Sequence, residues 1–312
     1  GSSVSLSADG NWLAVGAPQN DGIQNQFNDS GHVRVFAWSG ISWKQLGDDI
    51  DGEAGDRSGE SVSLSANGER LAIGAPQPFN EDTGSQAGRV RVYAWSGTSW
   101  LQLGEDVDGE YLGDWSGVSV SLSADGSRLA IGAPWNSDNG SESGHVRVYA
   151  WSGSAWKQLG GDIDGEAGTF SGQSISLSAD GNRVAIGAKE SLKDVFFPGQ
   201  VRVYEWSGTN WLQLGDDIEG EDVGRSRFGA SVSLSADGNR LAIGAPWYND
   251  VTGQVRVYAW SGTSWLQLGQ NIDGEAEFDF SGESVSLSAD GSRLAIGALE
   301  NDGHLGNSPD SG

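Results

Sequence analysis

The stretch that decides the fold is SVSLSADGNRLAIGAP at residues 231–246, because close copies of it recur along the chain. Six copies begin near residues 3, 61, 119, 174, 231 and 284, and their equivalent Val or Ile positions lie 53 to 58 residues apart. A second block, VRVYAWSGTSWLQLG at residues 90–104, has relatives that begin at 33, 146, 201 and 255. The chain is therefore a repeat protein whose unit contains both blocks.

Each unit contains four short runs that alternate with a period of two and are rich in β-branched and aromatic residues. The first two runs are linked by an Asp-Gly or Asn-Gly turn and the last two by a Ser-Gly turn, which are typical of tight hairpins. The pattern predicts four antiparallel strands per unit, with no helix of useful length.

The two faces of the first strand pair differ in side-chain size. In the copy at 231, one face carries Val232, Leu234, Leu241 and Ile243, whereas the other carries only Ser, Ala and Gly. The small residues indicate that another sheet approaches closely. Sheets stacked in this way predict an all-β fold, a β-propeller of four-stranded antiparallel blades in one domain over residues 1–312. About five and a half repeats are present, and a closed ring would have six or seven blades; a linear solenoid is the alternative.

The tripeptide Gly-Ala-Pro follows the second run at 16–18, 74–76, 132–134 and 244–246. Together with Phe228-Gly229 ahead of a Ser-Val-Ser-Leu run, it resembles the FG-GAP repeat of integrin α-subunit propellers and their bacterial and algal relatives. The resemblance implies a propeller and a role such as those of adhesion receptors, lectins and surface proteins.

The chain departs from that family at two points. Most copies have Ser-Gly in place of Phe-Gly, often after an aromatic residue: Trp115, Phe170 and Phe280. The calcium loop that the family often carries between the first two strands is replaced by a Ser-Ala-Asp-Gly turn. That turn is too short to supply six or more oxygen ligands.

The last unit stops after its first two runs, because there are six copies of the first block and five of the second. An incomplete blade would leave an open sheet edge. We expect either that the chain is a piece of a longer protein or that another segment completes the blade, with self-association into a filament as the alternative.

Composition limits the partners. The formal net charge is −25, from 18 basic and 43 acidic residues, which disfavours nucleic acid. No apolar run is long enough to predict a membrane span, and the absence of Cys excludes disulfides. Asn28 and Asn139 lie in N-glycosylation sequons. Together with the family resemblance, they predict an extracellular or cell-surface location.

The link that follows each fourth run is acidic, as in GDDIDGEAGD at residues 47–56. An Asp-x-Asp-Gly turn presents hard oxygen ligands, so Asp49, Asp51, Glu53 and Asp56 are candidate ligands of Ca²⁺. The alternative is a solvated turn that only keeps the surface soluble.

The loops between the second and third runs vary from unit to unit. They cover residues 19–31, 77–88, 135–144, 189–200 and 247–253. An aromatic ring beside Asn and Asp can stack on a sugar, so each loop supplies one candidate for binding a glycan or protein ligand. These candidates are Phe27, Phe79, Trp135, Phe196 and Trp247. The alternative is that the rings fold back onto their own loops.

Two recurring residue types are expected to be structural. Ten of the fourteen Trp belong to the Trp-Ser-Gly-x-x-Trp hairpin, whose regularity favours packing between neighbouring blades. The Arg of each Val-Arg-Val run is expected to lie along an aromatic ring or to pair with a local acid.

The sequence offers no obvious catalytic group. There are only three His and no Cys, and no acid stands out from the repeat. We therefore expect a non-catalytic binding or structural module that acts through the variable loops. The alternative is a carbohydrate-active enzyme, a glycosidase or lyase, because carboxylates are plentiful.

Overall fold

The computed structural model describes residues 1–20, 29–76, 86–189, 198–220 and 226–301. Phe27, Phe79, Phe196 and Asn28 lie outside this range, so the predictions for them remain predictions. In the described part the chain forms five complete blades and one two-stranded sheet. A single helical turn, α1 (Tyr248–Val251), follows the second strand of blade 5. No helix in the described ranges has the length and apolar character that a membrane crossing needs.

The strands follow the repeat. Blade 1 contains β1 (Ser3–Leu6), β2 (Trp12–Ala17), β3 (His32–Trp38), β4 (Trp43–Gln45) and β5 (Ile50–Asp51). Blade 2 contains β6 (Ser61–Leu64), β7 (Arg70–Ala75), β8 (Arg89–Trp95), β9 (Trp100–Gln102) and β10 (Val107–Asp108). Blade 3 contains β11 (Ser119–Leu122), β12 (Arg128–Ala133), β13 (His145–Trp151), β14 (Trp156–Gln158) and β15 (Ile163–Asp164).

The remaining strands repeat this order. Blade 4 contains β16 (Ser174–Leu177), β17 (Arg183–Ala188), β18 (Gln200–Trp206), β19 (Trp211–Gln213) and β20 (Ile218–Glu219). Blade 5 contains β21 (Ser231–Leu234), β22 (Arg240–Ala245), β23 (Gln254–Trp260), β24 (Trp265–Gln267) and β25 (Ile272–Asp273). The sixth sheet contains β26 (Ser284–Leu287) and β27 (Leu294–Gly297).

In each complete blade the first four strands pair antiparallel in chain order, which confirms the predicted fold class. The register keeps the predicted aliphatic face together, since Val232 lies opposite Ile243 and Leu234 opposite Leu241. The acidic link contains a strand that the sequence analysis missed. In all five complete blades this fifth strand pairs with the third, as Asp51 does with His32 in blade 1.

The chain divides into two compact units. Unit 1 comprises residues 1–138 and 145–163, and unit 2 comprises residues 139–144 and 164–312. In each unit, aliphatic side chains of one blade pack on the first strand pair of the next, as Val33 and Val35 do with Leu71 and Ile73. Whether residues 1–312 form a single domain stays a prediction.

The small-residue face lies against the next blade, as predicted. A Cβ on Gly74, the glycine of Gly-Ala-Pro in blade 2, would overlap the carbonyl oxygen of Gly117 in blade 3. The hydroxyl of Ser61 donates to the same carbonyl at 2.8 Å, and the hydroxyl of Ser63 accepts from the Leu122 amide at 2.9 Å. The same Ser–Gly and Gly–Gly contacts recur between blades 1 and 2, 4 and 5, and 5 and the sixth sheet.

The hairpin tryptophans also join neighbouring blades, as predicted. The indole Nε1 of Trp100 donates to the Leu46 carbonyl of the preceding blade at 3.1 Å. Trp156 and Trp265 donate in the same way to Leu103 and Leu214, each at 2.9 Å. Blades 2, 3 and 5 are therefore each attached to the preceding blade both through the first strand pair and through the outer hairpin.

We expect Gly74→Ala to destabilise the protein by about 1–3 kcal/mol, because the added methyl group must displace the Gly117 carbonyl. Gly161→Ala is the matched control: nothing lies within 4 Å of a Cβ at Gly161. It should change stability by less than about 0.5 kcal/mol. Urea unfolding followed by tryptophan fluorescence measures both. Equal midpoints for the two variants would contradict the close approach of the blades.

Candidate functional site

The Arg of the third strand binds an acid that follows the fourth strand of the same blade. In blade 4, Arg202 Nε and Nη2 donate to the Asp217 carboxylate at 3.0 and 2.8 Å. Gln213 Nε2 donates to the same carboxylate at 2.7 Å. These contacts hold the pKa of Asp217 below its usual range, with the Arg202 hydrogen bond as the main cause. We call this arrangement the arginine clasp.

The clasp recurs in blades 1 and 2, where Arg34 binds Asp49 and Arg91 binds Asp106. The end of the third strand pairs with the fourth strand, and its beginning pairs with the fifth. The clasp forms between these two paired segments. The prediction that this Arg pairs with a local acid is confirmed for these blades. In blade 5, Asn271 replaces the acid and Arg256 donates to Gln254 at 2.6 Å.

The four acids predicted as Ca²⁺ ligands have different surroundings. Asp49 lies in the clasp of blade 1, and Glu53 pairs with Arg91 at 3.2 Å. Asp56 is fully buried and accepts from the Glu53 amide and from Arg91 Nη1, both at 2.9 Å. Asp49 and Asp51 do lie together, with ligand atoms within 4.8 Å of each other and of His32. Calcium binding by these acids stays a prediction.

Two of the predicted ligand-binding aromatics are described, and both contact neighbouring side chains. Trp135 packs against Trp115, with ring centroids 5.2 Å apart, and 37% of it is exposed. Arg227 lies over the Trp247 ring at 3.6 Å. The sequon residue Asn139 is exposed, and its side-chain amide donates to the Gly165 carbonyl at 2.8 Å. Ligand stacking and glycosylation at these residues stay predictions.

Blade 3 departs from the clasp. Arg147 Nη2 donates to the Asp108 carbonyl at 2.8 Å, and its Nη1 lies 3.6 Å from Glu110. Within the described ranges, no ion pair joins Arg147 to Asp162, the acid at the clasp position. Asp162 still accepts from Gln158 at 2.6 Å. Its other oxygen lies 3.8 Å from Nδ1 of His145.

His145 is the first residue of β13, and its side chain is only 1% exposed. Neither ring nitrogen has a hydrogen-bond partner among the described residues. Burial lowers the pKa of His145, and the Arg147 charge lowers it further, while nearby acids oppose both effects. The imidazole is therefore neutral at pH 7 and has a nitrogen lone pair to offer. A buried polar group without a partner costs about 1–3 kcal/mol.

The loop before β13 brings a second acid to His145. Asn136 is fully buried; its side-chain oxygen accepts from the Asp138 amide at 2.9 Å, and its Nδ2 donates to Asp114 at 3.1 Å. These bonds fix the backbone that carries Asp138.

Glu110, Asp138, His145 and Asp162 each have a ligand atom within 4.8 Å of the others, and all four belong to unit 1. We call this group the third-blade site. Burial raises the pKa of Glu110, and Asp162, Asp138 and Asp114 raise it further, against the lowering effect of Arg147. The site therefore combines a neutral imidazole with three carboxyl groups that repel one another.

The sequence analysis did not predict this site. Three His in the whole chain gave no sign of a cluster, although His32 and His145 occupy the same position of the repeat. The useful signal was variation at one position: the first residue of the third strand is His, Arg, His, Gln and Gln in successive blades. A residue that changes within an otherwise uniform repeat is free of the structural role that the repeat imposes.

Comparison with known proteins supports the fold. Residues 108–149 match the family model of the FG-GAP repeat, which confirms the resemblance. No curated protein sequence matches the chain.

Solved structures that share its fold include the following three. The periplasmic gluconolactonase PpgL of Pseudomonas aeruginosa is 18% identical, with a TM-score of 0.62 over 96% of this chain and 78% of that one. A putative 6-phosphogluconolactonase from Bacteroides uniformis is 12% identical, with a TM-score of 0.64 over the same shares. Hydrazine synthase of Kuenenia stuttgartiensis is 12% identical, with a TM-score of 0.60 over 94% of this chain and 82% of that one.

These comparisons correct one prediction. The expectation that the chain is not an enzyme is wrong, because structures that share its fold include a gluconolactonase and a putative 6-phosphogluconolactonase. The argument relied on the absence of a His or acid cluster in the sequence. Folding brings His145 to acids that are 7 to 35 residues away in the chain, as the numbering of Asp138 and Glu110 shows.

The clasp predicts a pH-dependent contribution to stability. Asp217→Asn should lower the free energy of unfolding at pH 7 by about 1 kcal/mol, because Arg202 loses its charged partner. Asp216→Asn, which removes an equal charge from the adjacent exposed residue, is the control.

The folded pKa of Asp217 is depressed, so its contribution is present above the unfolded pKa of about 3.9 and is lost as pH falls through the folded value. Urea unfolding of both variants from pH 7 down to pH 2 measures the difference. Identical stabilities at pH 7 would show that the clasp contributes nothing.

Proposed function

We propose that the chain is a carbohydrate-active enzyme, a hydrolase that cleaves a sugar-derived lactone or glycoside at the third-blade site. The observation that carries this proposal is the departure of blade 3 from the arginine clasp. Among the described residues, blade 3 has no ion pair between Arg147 and Asp162, and the buried imidazole of His145 has no hydrogen-bond partner although it lies beside three carboxyl groups. Polar groups that the fold leaves unsatisfied are characteristic of sites that act on a ligand.

The carboxyl groups of the site suit cleavage of a C–O bond. Such a reaction needs one group to activate water and another to protonate the leaving oxygen. Glu110 is the better proton donor, because its pKa is raised and its side chain is 34% exposed and therefore reachable. Asp138 and Asp162 can accept the proton of the attacking water. Arg147 places a positive charge 3.6 Å from Glu110, where it can stabilise the anion left after proton transfer.

The neighbouring loop offers a place for the sugar. Trp135 immediately precedes the buried Asn136, and its amide donates to the Asp114 carbonyl at 3.3 Å. This bond ties the loop that carries Trp135 and Asp138 to the link that carries Glu110 and Asp114. We propose that Trp135 stacks on the sugar ring, which retains the glycan partner expected from the sequence.

The fold comparisons support the substrate class, because the structures of similar fold include a gluconolactonase and a putative 6-phosphogluconolactonase. An extracellular location is a separate proposal, supported by the FG-GAP resemblance and by the exposed sequon at Asn139.

We expect Glu110→Gln to lower kcat for hydrolysis by about 100-fold or more, because it removes the proton donor. Glu166→Gln is the matched control: Glu166 is the equivalent acid in the link before blade 4, where it pairs with Arg202. The assay follows proton release from glucono-δ-lactone against the spontaneous rate, and release of nitrophenol from a panel of nitrophenyl glycosides.

Full activity of Glu110→Gln would remove Glu110 from the mechanism. A wild-type protein that accelerates the hydrolysis of neither substrate class would contradict the proposed function.

A further inference from the structure

The third-blade site holds a polar residue that the protein itself does not satisfy. The His145 side chain is only 1% exposed. Neither of its ring nitrogens has a hydrogen-bond partner in the part of the chain that the structure describes. Its closest acidic oxygen, on Asp162, lies 3.8 Å from Nδ1, which is beyond hydrogen-bond distance. A group that binds the imidazole nitrogen would remove this cost.

The charges around His145 indicate what that group is. Glu110, Asp138 and Asp162 all place a carboxylate oxygen within 4.8 Å of the imidazole and of one another. Arg147 is the nearby cation, and it lies 3.6 Å from one of the three, Glu110. The remaining negative charge favours a cation rather than a neutral or anionic ligand.

We infer that the third-blade site binds a divalent first-row transition metal through His145, Asp138 and Asp162, with Glu110 as the fourth group within reach. The inference concerns the site of the proposed hydrolase, but it stands on the contacts of His145 and does not require that activity.

The donor set separates transition metals from calcium. Ca²⁺ takes six to eight oxygen ligands in flexible geometry, whereas this site offers one nitrogen and three carboxylates. Imidazole together with carboxylate suits Zn²⁺, Co²⁺ and Mn²⁺, whose affinities are expected to rise in the order Mn²⁺, Co²⁺, Zn²⁺. Neutral imidazole is the commonest metal ligand among protein side chains.

Blade 1 provides an internal comparison. His32, Asp49 and Asp51 also lie within 4.8 Å of one another, but Arg34 binds Asp49 there at 2.8 Å. A cation in blade 1 would have to compete with that guanidinium. No guanidinium competes for Asp162 in blade 3 among the described residues. Metal should therefore bind the third-blade site more tightly than the group of His32, Asp49 and Asp51 in blade 1.

The test uses the whole chain, stripped with EDTA and dialysed, and titrated with CoCl₂, ZnCl₂, MnCl₂ or CaCl₂ in a calorimeter. The visible absorption of bound Co²⁺ gives a second readout that is independent of enzymatic activity. His145→Gln and Asp162→Asn are suitable variants, because the chain itself carries Gln200 and Gln254 at the first position and Asn271 at the second. Both replacements should therefore fold, which thermal unfolding can verify.

We expect one equivalent of Zn²⁺ or Co²⁺ to bind, with much weaker binding of Ca²⁺. His145→Gln and Asp162→Asn should each weaken metal binding by more than about 100-fold. Loss of a residue that only supports a ligand costs about 10- to 100-fold, so a larger loss indicates a direct ligand. His32→Gln should leave it unchanged. No transition-metal binding, tighter binding of Ca²⁺, or loss of binding in His32→Gln alone would overturn the inference.

The outcomes also separate this inference from the proposed function. Metal binding that is lost in His145→Gln, in a chain that hydrolyses neither substrate class, would support the metal site and contradict the hydrolase. Hydrolysis that persists after EDTA treatment, without any metal binding, would support the hydrolase and contradict the metal site.

Discussion

The structure depends on the close approach of consecutive blades at a pair of glycines. The Gly-Ala-Pro glycine of one blade meets the carbonyl of the glycine before the next blade's first strand, and a Cβ at the first position would overlap that oxygen. The same carbonyl accepts a hydrogen bond from the first Ser of the SVSL strand, as in Ser61 to Gly117. The repeated sequence is therefore uniform because each copy must fit its neighbour as well as itself. Aliphatic burial then stabilises a stacking that the glycines permit.

The same constraint explains where function can arise. The first strand pair is committed to the neighbouring blade, and the Arg, Asp and Gln of the clasp hold the outer edge in blades 1, 2 and 4. The first residue of the third strand belongs neither to the first strand pair nor to the clasp. In blade 3 that residue is His145, and Arg147 has turned from Asp162 towards Glu110 and the Asp108 carbonyl. Changing the residues around one clasp is enough to collect an imidazole and three carboxyl groups.

The fold was predictable from the sequence, whereas the site was not. Period-two alternation, Asp-Gly turns and a small-residue face are local signals, and each is repeated often enough to be unmistakable. The third-blade site is non-local: Glu110 precedes blade 3, Asp138 lies in a loop of variable length, and Asp162 lies beyond the outer hairpin. The local signals that indicated function were the loop aromatics and the acidic turns. Those signals led to Trp135 but not to His145, which is the first residue of a strand and belongs to neither kind of segment.

In the proposed site, a ligand lies between His145 and the acids that blade 3 gathers around it. Anomalous diffraction from crystals grown with Co²⁺ tests it most directly, since it locates the metal independently of affinity or activity. The account predicts one strong peak bonded to a His145 nitrogen at about 2.0–2.2 Å and to the carboxylates of Asp138 and Asp162. A map with no peak at His145, or with its imidazole hydrogen-bonded to Asp162 in an ordinary ion pair, would contradict it.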